Sequence, residues 1–73
     1  MIGVFIVPLL TDRMTDRQKR CSQRQEAGLC RETLVRFWYN PEQQKCEAFY
    51  YSGCGGNENN FQTLRECMKE CQA

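Results

Sequence analysis

Six cysteines, Cys21, Cys30, Cys46, Cys54, Cys67 and Cys71, separated by 8, 15, 7, 12 and 3 residues, constrain this chain more than any other feature. In 73 residues they reach the density at which a disulfide scaffold becomes the default reading. A chain this short buries too little apolar surface to offset its ordering entropy, so covalent cross-links are needed. Disulfides persist in oxidising compartments, which predicts a secreted, extracellular protein. Six cysteines allow fifteen pairings, and the spacing alone does not choose among them.

What the chain lacks narrows its chemistry. There is no histidine, which removes the usual general base, the histidine-activated nucleophiles and the commonest zinc ligand. The cysteine spacing lacks the paired knuckles of a zinc ribbon, so no metal or other cofactor is expected, and no enzymatic activity. Ten Lys/Arg against nine Asp/Glu give a net charge of +1, far from the profile of a nucleic-acid binder.

Residues 1–20 stand apart from the cysteine framework. Met1–Leu10, MIGVFIVPLL, is apolar but half the length of a membrane span, so no membrane insertion is expected. It reads as a truncated signal-like segment, without the basic start or small-residue cleavage site of a full one. Thr11–Arg20 repeats Thr-Asp-Arg at a spacing that suits a short helix, yet ten residues are marginal alone, and a solvated, flexible state is expected. Arg17-Gln18-Lys19-Arg20 has the R-x-K-R form cut by furin-like processing proteases.

Within the framework, Leu34–Tyr39 and Lys45–Tyr51 are rich in β-branched and aromatic residues and predict two strands. Asn40-Pro41-Glu42-Gln43-Gln44 between them predicts the turn of an antiparallel hairpin. Thr63-Leu64-Arg65-Glu66 has capping-box form and opens a helix of two to three turns, with Cys67 and Cys71 on its inner face. Phe37, Trp38, Tyr39, Phe49, Tyr51 and Phe61 are the expected core aromatics.

The cysteine intervals, together with Tyr51-Ser52-Gly53-Cys54-Gly55-Gly56-Asn57 and Asn59-Asn60-Phe61, make residues 21–71 resemble the Kunitz domain of the basic pancreatic trypsin inhibitor family. The resemblance implies a small disulfide-rich α+β domain: a twisted two-stranded antiparallel β-hairpin, a short C-terminal α-helix, and the bridges Cys21–Cys71, Cys30–Cys54 and Cys46–Cys67. It implies that Asn59 is a buried amide satisfying backbone groups. It also implies a monomeric, reversible, substrate-like inhibitor whose partner is a trypsin-like serine protease. The reactive site would be Gly28, Leu29, Cys30, Arg31, Glu32, Thr33 and Leu34. Arg31 would be P1, the side chain offered to the specificity pocket. Tyr50, Tyr51, Ser52, Gly53, Cys54 and Gly55 would form a secondary binding loop.

Three positions depart from the family pattern. Glu32 stands where inhibitors usually have Ala or Gly, Leu29 where they usually have proline, and Ser52 where they commonly have glycine. Ser52 is similar to the dendrotoxin-type Kunitz chains, as is Lys19 two residues before the first cysteine. A potassium-channel blocker is therefore the first alternative. A non-inhibitory interaction module, motivated by Glu32 at P1′, is the second.

Overall fold

A computed structural model describes residues 15–72. The signal-like segment Met1–Leu10 lies outside the described residues. Strand β1 runs Leu34–Asn40 and strand β2 runs Lys45–Tyr51. They pair antiparallel, with Leu34 opposite Tyr51 and Asn40 opposite Lys45. Asn40 starts the connecting turn by accepting the Glu42 amide on its Oδ1 (3.0 Å), which is why a short Asn-Pro segment reverses the chain here.

Two strands alone are marginal in water, and their free edges need partners. The outer edge of β1 is closed twice. Phe37 and Phe61 exchange both backbone hydrogen bonds (2.8 and 2.7 Å). One step along, Asn59 serves Tyr39 as a side-chain substitute for a strand: its Oδ1 accepts the Tyr39 amide (2.8 Å) and its Nδ2 donates to the Tyr39 carbonyl (3.0 Å). The second Nδ2 hydrogen goes to the Gln23 carbonyl (2.9 Å). Asn59 is 0% exposed, so the expected buried amide is present, with both amide hydrogens and the oxygen engaged.

The C-terminal helix, Leu64–Cys71, begins where the capping signal places it. Thr63 accepts the Glu66 amide on its hydroxyl (3.1 Å), while the Glu66 carboxylate reaches past the cap to the Gln62 amide (3.2 Å). Cys67 is fully buried, and its bridge to Cys46 fastens the helix to β2. Cys21–Cys71 fastens its far end to the start of the domain. That bridge spans a sequence separation of 50, a closure that stabilises by about 4 kcal/mol in the chain-entropy account. The three bridges implied by the family resemblance are those observed.

The structure corrects the expectation of flexibility for the described part of Thr11–Arg20. Asp16–Ser22 is a helix rather than a flexible segment, so we label it α1 and the C-terminal helix α2. Its stability comes from groups the isolated segment lacks. Thr15 and Gln18 form a reciprocal capping box, Cys21 is tied to Cys71, and Arg17 and Arg20 both meet the Glu70 carboxylate (3.7 and 3.1 Å). The R-x-K-R motif thus lies inside a docked helix that must open before a protease can engage it. Half-exposed ion pairs of this kind contribute about 0.5–1 kcal/mol. Glu70→Ala is accordingly expected to speed cleavage after Arg20 by roughly two- to fivefold, read by mass spectrometry over a digestion time course.

The core holds fewer aromatics than expected. Phe49 and Phe61 are buried, whereas Phe37, Trp38, Tyr39 and Tyr51 are only half-buried. A two-stranded sheet in so small a domain has too little material to cover both faces. Cys67 and Asn59 occupy its centre instead.

Candidate functional site

At the end of the hairpin away from its turn, two segments are laced together by backbone hydrogen bonds. Leu29 donates to the Cys54 carbonyl (3.1 Å), Glu32 donates to the Ser52 carbonyl (2.9 Å), and Ser52 donates to the Ala27 carbonyl (2.8 Å). The Cys30–Cys54 bridge, with Cα atoms 5.4 Å apart, joins the same segments covalently. Residues 28–34 and 50–55, expected from the family resemblance to lie beside each other, are joined side by side by these bonds.

Ser52 is the centre of the lacing. Beyond its two backbone bonds, its Oγ accepts the Cys30 amide (3.0 Å) and donates to the Cys54 carbonyl (3.4 Å). The hydroxyl thus braces the backbone one residue before Arg31, a contact that glycine would not make. Two glycines make this approach possible. A Cβ on Gly28 (φ +90°) would collide with the Cys54 carbonyl and lie 2.7 Å from Ser52 Oγ. Gly53 adopts φ +107°, a backbone conformation that favours glycine, and the Glu32 side chain lies beside it.

The side chains on this frame face water. Arg31, Glu32 and Thr33 are exposed, Leu29 is 88% exposed and Tyr50 is 68% exposed. Leu34 is half-buried at the start of β1, opposite Tyr51, whose hydroxyl donates to the Gly55 carbonyl (2.9 Å). Arg31 and Glu32 are the only charges in the two segments; residues 50–55 carry none. The site is an exposed cation followed at once by an exposed anion, on a backbone with little freedom to move. Two contributors escape a side-chain reading of the sequence. Ala27 enters through its carbonyl alone, and Val35 is an exposed apolar residue opposite Tyr50. Strand alternation in Leu34-Val35-Arg36 held the only signal for the second.

All six cysteines are in disulfides, and among the described residues no group of three or more His, Cys, Asp or Glu side chains could hold a metal ion. No described helix is long and apolar enough to cross a membrane.

The family model of the Kunitz/Bovine pancreatic trypsin inhibitor domain matches residues 20–72, most of the chain. The chain belongs to this family. Among curated Kunitz relatives, Kunitz-type serine protease inhibitor C1 of Daboia siamensis is 52% identical over 58 residues, covering 80% of this chain and 64% of the relative. Kunitz-type serine protease inhibitor spermatin of Walterinnesia aegyptia is 45% identical over 71 residues, covering 97% of this chain and 88% of the relative. The chain thus spans a little under two thirds of the length of the first of these. Dendrotoxin K from Dendroaspis polylepis polylepis shares the Kunitz fold at TM-score 0.70 and 38% identity, covering 75% of this chain and 96% of that one.

Proposed function

We propose that this chain is a reversible, substrate-like inhibitor of trypsin-like serine proteases, with Arg31 as P1. The observation that carries the reading is the exposed Arg31 directly after Cys30, on a segment joined to residues 52–54 by a disulfide and three hydrogen bonds. The names of the curated Kunitz relatives support protease inhibition. Arginine at P1 selects a narrow pocket with a carboxylate at its base, as in trypsin-like enzymes.

The chemistry requires no catalytic group on the inhibitor. A segment already held in the bound shape loses little conformational entropy on docking. If the protease attacks the Arg31–Glu32 bond, the new amino terminus at Glu32 stays linked through its bond to Ser52, and Arg31 stays linked through Cys30 to Cys54. The ends remain adjacent, religation competes with release, and the complex persists. Three disulfides support an oxidising, extracellular setting for this work. Titration against a panel of trypsin-like proteases, with Arg31→Ala as control, tests the reading. No inhibition of any of them by the unaltered chain, or equal inhibition by both, refutes it.

A second reading, block of voltage-gated potassium channels, is favoured by Ser52, by the likeness to dendrotoxin K and by Lys19, exposed on α1. It expects block in patch-clamp recordings that disappears in Lys19→Ala. An unaltered chain that leaves the currents unchanged rules it out.

A further inference from the structure

The reading of Arg31 as P1 leaves the residue after it without a task, and Glu32 is neither small nor neutral. Its position is fixed from two sides. Its amide is bonded to the Ser52 carbonyl (2.9 Å), and its Cβ, Cδ and Oε1 each lie 3.4 Å from where a Cβ on Gly53 would stand. Gly53, at φ +107°, carries no side chain, and the Glu32 side chain lies beside it along the second segment of the site. Among the described residues, the ion pairs are those of Glu70 with Arg17 and Arg20, and Glu32 has none.

The surface a protease would cover therefore presents two separate charges. Docking strips water from both. Arg31 meets the carboxylate of a trypsin-like pocket. An unmatched Glu32 would oppose binding by a desolvation penalty, whereas a facing cation would convert that penalty into attraction.

We propose that Glu32 is a specificity residue, restricting this inhibitor to trypsin-like proteases that present a lysine or arginine side chain opposite the residue after P1. The proposal rests on Arg31 being P1. It divides the enzymes that accept an arginine into two sets by the charge of their wall beside the scissile bond. Enzymes with a cation there bind, and those with a neutral or acidic wall are discriminated against.

The experiment measures inhibition constants of the unaltered chain, Glu32→Gln, Glu32→Ala and Arg31→Ala. The panel is trypsin-like proteases sorted beforehand, from their own structures, by the charge of that wall. Close interfacial charge pairs couple by about 1.5 kcal/mol or more, a factor of about ten. Glu32→Gln should weaken inhibition of the cationic set by about tenfold or more and strengthen inhibition of the others. The unaltered chain should lose affinity for the cationic set with added salt more steeply than Glu32→Gln does. A uniform effect of Glu32→Gln across both sets overturns the proposal. So does a gain seen only with Glu32→Ala, because it would trace the discrimination to bulk rather than charge. Arg31→Ala reports separately on P1: if it inhibits as well as the unaltered chain, the P1 reading itself fails. If Arg31→Ala is inactive while Glu32→Gln is uniform, only the proposal for Glu32 fails.

Discussion

Asn59→Ala is expected to lower the thermal unfolding midpoint by about 20 °C or more. The amide is fully buried and holds three backbone groups: the Tyr39 N–H, the Tyr39 carbonyl and the Gln23 carbonyl. Alanine leaves each without a partner in a site closed to solvent, at about 1–3 kcal/mol per group. A loss of about 4–6 kcal/mol is comparable to the whole net stability of many small domains. In a domain of this size each kcal/mol moves the midpoint by about 4–8 °C. Asn59→Asp is expected to do no better, since it keeps the acceptor for Tyr39 but sets a carboxylate against two carbonyl oxygens. Circular dichroism melts of both variants check this. A shift within about 5 °C for Asn59→Ala would mean that water replaces the amide.

Asn59 also marks how far the sequence carries. The amide, the hairpin and the cap at Thr63 were legible because each follows from a short pattern: a motif, an alternation, a Thr-x-x-Glu. Helix α1 was not expected, although Thr15-Asp16-Arg17-Gln18 has the same capping form. The balance for an isolated ten-residue segment goes against a helix. Cys71 and Glu70, far along the chain, reverse that balance. The half-buried Trp38 and Tyr51 have a related cause, because burial depends on what lies opposite, which no pattern of alternation supplies. In the proposed site, the reading of Arg31 rests on its adjacency to a cysteine. The strap made by Ser52 was not legible, because it depends on residues 27–32 and 52–54 meeting in one register.

Arg31→Ala is expected to weaken inhibition of whichever trypsin-like protease the unaltered chain inhibits by about a thousandfold or more, while leaving the unfolding midpoint within a few degrees. The two halves of this expectation have separate causes. The side chain is exposed and makes no hydrogen bond or ion pair among the described residues, so the fold loses nothing when it is cut back. In the proposed complex, the same side chain would be the central anchor of the interface. A guanidinium held by a pocket carboxylate is a charge-assisted, two-pronged contact. Truncating such an anchor costs about 4 kcal/mol or more, which corresponds to a factor of about a thousand. Arg31→Lys keeps the charge but not the fork, and should retain most of the inhibition. Equal inhibition constants for the unaltered chain and Arg31→Ala would move the contact elsewhere, whereas a collapse of the midpoint would make Arg31 structural. The braced backbone separates these outcomes. Its disulfide and hydrogen bonds run through Cys30, Glu32 and Ser52 and leave the Arg31 side chain free, so the loop should hold its shape when that side chain changes.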